Sequence, residues 1–507
     1  MSLAILASRA LYGFQAQPVR VEVHVGPGLP AFLIVGLPDA GVRESRERVR
    51  SALVSCGYEF PAGRITVNLA PADLPKDSGR YDLAIALGIL LASGQVSAAA
   101  SQKSTIVDVS DRVFVGELSL TGKLRPIKGA LAIAMSVARE SPGARLIMPA
   151  ACAAVAAQVP DIVVLSAGSL VEVVDDMAER QPIPQAQPSG QRGVMPAVPC
   201  LSDVHGQEAG RRALEVAASG GHSMLMCGPP GVGKSMLAQR LPGLLPPLST
   251  LESLEVAALH GLAGQEASPM PFPPFRSPHH TASTAAIIGG GGWPRPGEVS
   301  LAHHGVLFLD EIPEFHRPVL ESLREPLEAG VVSIARARLS CSFPARFQLI
   351  AAMNPCPCGW AGHPRKACTC PPSRVDAYRR RLSGPLLDRI DLHVRLVAPQ
   401  DDWLSSSGGE ASDVVRARVL ACRERQHARQ GCINAKLEGR GLRCQVVLDD
   451  RGAALLKEAS ERWAWSVRVV HRLLRIARTL ADMAGSDCVE AGHVAEALQF
   501  RPAWDGL

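Results

Sequence analysis

The chain has 507 residues, with 53 Lys/Arg against 48 Asp/Glu for a formal charge of +5, and a mean hydropathy of +0.11. That length suits roughly two to four domains with separate cores. No charge-free run approaches the about 20 apolar residues that span a bilayer, and no basic segment precedes the apolar stretch at Met1-Ser2-Leu3-Ala4-Ile5, so a cytosolic chain with no membrane partner is expected. Its 13 cysteines then read as thiols or metal ligands rather than disulfides.

In chain order, Val19-Arg20-Val21-Glu22-Val23-His24-Val25 alternates as a strand does, and Phe32-Leu33-Ile34-Val35 is a short apolar strand. Residues 45–53 read as a helix, 65–69 as a strand and 82–91 as a helix. Residues 113–127, with Thr121-Gly122 at the turn, predict a hairpin. The first 180 residues are therefore mixed α/β. Residues 181–199 open on Gln181-Pro182-Ile183-Pro184-Gln185 with no periodicity, and predict a linker.

Residues 228–235, Gly228-Pro229-Pro230-Gly231-Val232-Gly233-Lys234-Ser235, match the phosphate-loop pattern G-x-x-x-x-G-K-[ST] in full. The apolar run Met224-Leu225-Met226-Cys227 precedes it and a helix start follows, which is the strand–loop–helix context the motif needs. Backbone N–H groups of such a loop cradle phosphates, Lys234 reaches the β/γ-phosphates of ATP and Ser235 holds Mg²⁺. Residues 271–296, rich in Gly, Pro and His, read as an inserted loop facing a substrate channel. A metal site from His279, His280, His303 and His304 is the lesser alternative, because adjacent histidines point apart.

Val306-Leu307-Phe308-Leu309 ends in Asp310-Glu311, so Asp310 is placed for Mg²⁺ and Glu311 for polarising water. Paired acids also occur in solvated turns, but the apolar strand and the upstream phosphate loop favour the catalytic reading. The strand at 347–353 delivers Asn354, an amide suited to orienting water. In Gly384-Pro385-Leu386-Leu387-Asp388-Arg389, Arg389 is either a cation lent to a neighbouring subunit's ATP or half of an intrachain salt bridge.

Four cysteines stand out, Cys356-Pro357-Cys358 and Cys368-Thr369-Cys370. Two such knuckles close a tetrahedral thiolate site for structural Zn²⁺; the alternative is reduced thiols or redox chemistry. Beyond the loop at Ser405-Ser406-Ser407-Gly408-Gly409 the chain reads as helices. Residues 411–480 carry 15 Lys/Arg against 7 Asp/Glu. Arg472, Arg475 and Arg478 recur at helical spacing, which suits either a phosphate-backbone contact or a solvated helix face.

Taken together, these motifs resemble the magnesium-chelatase-like AAA+ ATPases of the ComM/YifB family over essentially the whole chain. The likeness rests on the phosphate loop, Phe275-Arg276-Ser277-Pro278-His279-His280, the 306–311 strand, Asn354-Pro355-Cys356-Pro357-Cys358-Gly359, residues 384–394, Ser466-Val467-Arg468 and 477–482. The resemblance implies a multidomain α/β protein. Its parts would be an inactive Lon-protease-like, ribosomal-protein-type domain (1–180), the linker, an AAA+ core (200–400) with a helix-2 insert near 270–300, and a helical C-terminal lid (401–507). It makes Asp310 and Glu311 the Walker B pair, Asn354 sensor 1, Arg389 the arginine finger and Arg468 the sensor-2 arginine. It also makes 331–343, with Arg336 and Arg338, a DNA-facing hairpin. Val470 departs from the aromatic residue the family often has there.

In the Lon-like part the serine position holds Arg80, and the two lysine positions fall on Leu131 and Ile133, so peptide cleavage is not expected. A displaced dyad of Ser78 and Lys76 lacks the geometry expected of adjacent loop residues. The implied activity is ATP hydrolysis driving a homohexameric ring along single-stranded or branched DNA, as a branch-migration helicase in natural transformation. The alternatives are a motor subunit for metal insertion into a porphyrin and a protein unfoldase without protease activity.

Overall fold

The computed structural model describes residues 2–37, 39–96, 108–188, 198–265, 268–291, 294–336, 339–397 and 409–501. The chain forms two compact units, Met1–Gly193 with Ser253–Met270 and Val194–Glu252 with Pro271–Leu507.

The first unit is built on strands β1 (Ser2–Tyr12), β2 (Gln15–Gly26), β3 (Ala31–Val35), β4 (Arg64–Ala70) and β5 (Arg112–Phe114) and helices α1 (Ala40–Ser55) and α2 (Asp82–Ala92). After them come β6 (Glu117–Leu118), β7 (Leu124–Arg125), α3 (Ala130–Glu140), β8 (Arg145–Pro149), α4 (Ala150–Ala156), β9 (Val163–Ala167) and α5 (Leu170–Met177). Seven strands form one mixed sheet in the order β3-β4-β2-β1-β5-β8-β9, its spine the long antiparallel β1–β2 pair. Val19, Val21 and Val23 are buried from alternate positions of β2, as the period-2 pattern requires. Helix α1 starts at Asp39, whose carboxylate accepts the Val42 N–H at 2.7 Å. Helix α2 is buried almost throughout, and its first residue, Asp82, pairs with Arg48 at 2.7 Å.

Two expectations need correction. Val113 and Phe114 lie in the main sheet between β1 and β8, leaving only β6 and β7 as a hairpin around Thr121-Gly122. An uninterrupted apolar pair wants cover on both faces, which an exposed hairpin would not give. The stretch read as a linker begins bound: Ser166 N–H donates to Pro184 O at 3.0 Å, Ala186 N–H to Val164 O at 2.8 Å, and Ile183 is buried. Prolines removed donors from this segment but left carbonyls to pair with β9.

The second unit contains α6 (Glu208–Gly220), β10 (Met224–Cys227), α7 (Lys234–Leu244), α8 (Thr250–Leu262, most of it counted with the first unit), β11 (Phe275–Arg276) and α9 (Thr284–Ile288). It continues with β12 (Gly289–Gly290), β13 (Arg295–Pro296), α10 (Glu298–Leu301), β14 (Val306–Leu309), α11 (Arg317–Ser322), α12 (Arg324–Ala329), β15 (Val331–Arg336), β16 (Leu339–Pro344) and β17 (Gln348–Met353). The last elements are α13 (Pro372–Arg379), α14 (Gly384–Leu387), β18 (Leu392–Arg395), α15 (Ser412–Gln430), α16 (Gly439–Gln445), α17 (Asp450–Arg462), α18 (Val467–Ala484) and α19 (Ala491–Gln499).

Five strands make a parallel sheet in the order β11-β14-β17-β10-β18. Its strands are apolar end to end because both faces are covered, β10 and β14 being wholly buried. Order reverses beside β10, the first of the four longer strands, and ligands of open α/β sheets bind at the carboxyl ends near such a reversal. Strands β15 and β16 form a separate antiparallel hairpin between β14 and β17. Helices α15 to α19 share one core with the sheet, through residues such as Val419, Leu473, Ile476 and Val494. No helix among the described residues is long and apolar enough to cross a membrane.

Candidate functional site

The carboxyl end of β10 runs into the glycine loop, and helix α7 starts at Lys234. Gly231 and Gly233 have φ of +80° and +91°, and a Cβ on either would meet nothing within 4 Å. Glycine is needed there for backbone conformation, while the space above the loop stays open for a ligand. Val232 and Lys234 are buried, and the Lys234 Nζ donates to Gly228 O at 2.7 Å, Pro229 O at 3.0 Å and Asn354 Oδ1 at 2.9 Å. Burial pulls the lysine's pKa below its ordinary value, against the opposing pull of Asp310 and Glu311.

Strand β14 ends beside this loop. Ser235 Oγ donates to Asp310 Oδ2 at 2.7 Å, and Asp310 Oδ1 accepts the Glu311 N–H at 2.9 Å. Hydroxyl and carboxylate thus converge on one point flanked by an anion-accepting loop, a donor set of hard oxygens that fits Mg²⁺ with a nucleotide. Glu311 is exposed with φ of +52°, a left-handed turn that ends the strand. The His280 imidazole lies beside it, its Nδ1 3.7 Å from Glu311 Oε2. Lys234, Ser235, Asp310, Glu311 and Asn354 therefore form one cluster at the carboxyl ends of β10, β14 and β17.

Arg389 and Arg468 are elsewhere. Arg389 stands just before β18, whose Leu392 is in register with Met224 at the amino end of β10. The four residues of β10, at about 3.3 Å each, put on the order of 13 Å between the two ends of the sheet. Arg389 Nη2 meets Glu328 Oε1 at 2.6 Å, and Arg468 Nη2 approaches the same oxygen at 3.5 Å. The Arg389 hydrogen bond holds the Glu328 carboxyl below its ordinary range. These residues border a cavity of about 1140 Å³ that Ser223, Gly305, Gln348 and Asp391 line from the amino ends of the strands. Its wall is rich in cations, among them Arg346, Arg423, Lys436, Arg472 and Arg475.

The arginine stripe of α18 is not a solvated face. Arg472 is buried 3.5 Å from Asp391, and burial lowers its pKa to about 10. Arg475 Nε donates to Leu437 O at 2.7 Å. Arg478 is fully buried with Nη2 2.8 Å from Asp482 Oδ1, and Asp482 also binds Asn434 Nδ2 at 2.8 Å and the Arg429 guanidinium. This helix packs against α15 and α19, and turning its arginines inward is possible because Asp482 pairs with Arg478 and Asp391 lies beside Arg472. The Arg336 side chain and all of Arg338 lie outside the described residues; the Arg336 backbone pairs with Leu339 at the end of the hairpin.

Among the thiols, Cys356, Cys358, Cys368 and Cys370 bring their sulfurs within 4.8 Å of one another. The histidines divide by partner: His279 Nδ1 lies 2.8 Å from Thr281 Oγ1, His280 faces Glu311, and the His303 Nδ1 accepts the Arg346 N–H at 2.9 Å. In the first unit, Lys76 Nζ donates to Pro71 O, whereas Ser78 Oγ accepts from Arg80 Nε at 3.0 Å, so the two do not form a dyad. Leu131 and Ile133 are core residues.

Two participants were missed in the sequence. His280 sits in a motif already singled out, so its nearness to Glu311 had a signal. Glu328 had none, being one of several acids in the amphipathic stretch before the hairpin. Arg276 and Glu298, paired at 2.7 and 2.8 Å, close the base of the loop that carries His280.

Three family descriptions match the chain: "Subunit ChlI of Mg-chelatase" at residues 21–152, "Magnesium chelatase, subunit ChlI" at 200–403 and "Magnesium chelatase, subunit ChlI C-terminal" at 409–501. The protein YifB of Salmonella typhimurium is 45% identical over 506 residues, covering 99% of this chain and 97% of the relative. Competence protein ComM of Haemophilus influenzae is 44% identical over 516 residues, covering 99% and 98%. A 180-residue stretch, 36% of this chain and 18% of the relative, is 27% identical to DNA replication licensing factor mcm4-A of Xenopus laevis. The chain belongs to the ComM/YifB family of magnesium-chelatase-like AAA+ proteins, whose members use ATP and Mg²⁺.

Proposed function

We propose that the protein is an ATP-driven ring motor, a homohexamer, that moves branched or single-stranded DNA as a branch-migration helicase. The observation that carries this reading is the division of the ATP machinery between opposite ends of one sheet. Phosphate loop, Asp310, Glu311 and Asn354 lie at the carboxyl end, and Arg389 with Arg468 at the amino end. An arginine on the order of 13 Å beyond its own loop cannot neutralise phosphate charge there. It serves a neighbouring copy instead, which a closed ring supplies to every subunit.

Within that site Lys234 exchanges its contacts with Gly228 O and Pro229 O for phosphate oxygens. Ser235 and Asp310 would hold Mg²⁺, which would supply positive charge against that developing on the phosphates. Glu311 accepts the proton of the attacking water while Asn354 orients that water. Arg389 from the next copy stabilises the transferred phosphoryl, an effect of about 10³–10⁵ where such fingers have been measured. Arg468, beside it on Glu328, senses nucleotide from the same direction.

DNA as the track is supported by the competence name of one relative and the DNA replication name of another. It is also supported by the β15–β16 hairpin, which forms a sheet of its own with Arg336 at the end of β15; the proposed contact of Arg338 lies outside the described residues. Residues 1–180 are read as a Lon-like domain without protease activity, 200–400 as the AAA+ core with a helix-2 insert, and 401–507 as its lid. The buried, hydrogen-bonded Arg80 at the serine position supports that absence of cleavage.

The experiment is ATP-dependent branch migration of a labelled three-strand junction, with Glu311→Gln as the hydrolysis-dead control. Strand displacement by the wild type alone supports the DNA motor; an ATPase that neither moves DNA nor responds to it refutes it. The chelatase names of all three family descriptions favour a second reading, a motor for metal insertion into a porphyrin. Stimulated Mg²⁺ insertion into protoporphyrin would establish that one.

A further inference from the structure

We infer that Cys356, Cys358, Cys368 and Cys370 form a structural Zn²⁺ site that fixes the phosphate loop and Asn354. The geometry comes first. A tetrahedral site with Zn–S bonds of about 2.3 Å places its sulfurs about 3.8 Å apart. Cys356 Sγ lies 3.3 Å from Cys358 Sγ and 3.6 Å from Cys368 Sγ, Cys358 Sγ lies 3.6 Å from Cys368 Sγ, and all four sulfurs fall within 4.8 Å. An iron–sulfur cluster interposes irons and sulfides between its thiolates and needs a wider set.

The surroundings suit a tetrathiolate. Metal loading turns four thiols into thiolates, each remaining proton going to solvent, and leaves a net charge of −2 around Zn²⁺. Backbone donors face that charge: Ala361 N–H points at Cys356 Sγ at 3.3 Å and Cys370 N–H at Cys368 Sγ at 3.4 Å. Such second-shell donors hold ligands in orientation. The loop between the knuckles is cationic, with Lys366 Nζ 4.1 Å from the centre of the Trp360 ring.

Position gives the site its consequence. Cys356 is two residues beyond Asn354, whose Oδ1 holds Lys234. Gly359, in the first knuckle, has φ of +84°, and a Cβ there would stand 2.7 Å from Pro230 Cδ of the phosphate loop. The knuckle therefore touches the loop from outside while its first cysteine anchors the strand end that carries Asn354. This coupling rests on the nucleotide-site reading; the metal site itself does not.

The test uses the full-length protein purified without chelators. Expected are one zinc per chain by elemental analysis, a tetrahedral-thiolate absorption spectrum after Co²⁺ replacement, and loss of both in the Cys368→Ser/Cys370→Ser variant. A wild type that carries no zinc and gives no such Co²⁺ spectrum overturns the site, as does a double variant that keeps its metal. For the coupling, affinity for a fluorescent ATP analogue is measured before and after zinc removal, with circular dichroism confirming retained secondary structure. A fall of about tenfold is expected, the scale seen when the support of a metal site is disturbed. Unchanged affinity overturns the coupling and leaves the metal site standing. A zinc-loaded protein that binds no nucleotide refutes the nucleotide reading and not the metal.

Discussion

Arg389 and Glu328 are joined at 2.6 Å on the side of the sheet away from the phosphate loop, and Arg468 reaches the same carboxylate oxygen at 3.5 Å. One acid thus gathers the two cations assigned to a neighbour's nucleotide. The structure shows the intrachain pair, with the Arg389 side chain 7% exposed against a half-exposed Glu328; the proposed trans role has the guanidinium leave that carboxylate for the neighbour's phosphate.

Glu328→Gln is expected to destabilise the fold by under about 1 kcal/mol, because Glu328 is half exposed and solvent screens the pair. The Arg389 hydrogen bond depresses the Glu328 pKa, so the stabilisation is present above the unfolded-state value and lost as pH falls through the folded one. Denaturant unfolding of wild type and variant should differ at neutral pH and converge below the carboxylate range. A difference that persists in acid contradicts the assignment.

Asp482→Ala carries a larger expected cost. It leaves the buried Arg478 and the half-buried Arg429 without their shared carboxylate, and removing one partner of a buried ion pair costs about 3–5 kcal/mol. Urea unfolding monitored by the tryptophans checks it. A loss under about 1 kcal/mol would place Asp482 in a solvated, screened setting.

The contrast between these two carboxylates shows where the sequence was legible. Motifs that bind a ligand through backbone and fixed spacing, 228–235 and 306–311, sit on the strand ends expected of them, because local chemistry dictates both. The arginine spacing of α18 was visible, but its direction was not. Helical periodicity cannot separate a cation aimed at solvent from one neutralised by a buried acid such as Asp482. Glu328 was invisible for a related reason: its partners come from α18 and the β18 approach, and only the fold brings them together. Val113 and Phe114 went to the main sheet, not a hairpin, since strand partners follow from burial that a short apolar run does not specify.

Lys234 predicts a pH dependence of nucleotide binding. Burial lowers its pKa in the free protein, and phosphate oxygens restore the charged form. ATP binding on the alkaline side should therefore take up a proton, and affinity should fall as pH rises through the lowered value. Calorimetry in buffers of different ionisation enthalpy reads the uptake directly; Lys234→Arg should abolish it. Binding without proton uptake in the wild type would mean the lysine keeps its charge throughout.

The division of the ATP site between two copies is tested most directly by mixing two inactive variants. Glu311→Gln disables the phosphate-loop side of a subunit, and Arg389→Ala the side offered to its neighbour. In a mixed ring, the loop side of an Arg389→Ala subunit meets the intact arginine of a Glu311→Gln subunit and an unimpaired site re-forms. ATP hydrolysis by the mixture well above that of either variant alone is the predicted result. If both variants are inactive separately and the mixture, shown to exchange subunits, stays inactive, the two residues act within one chain and the account fails.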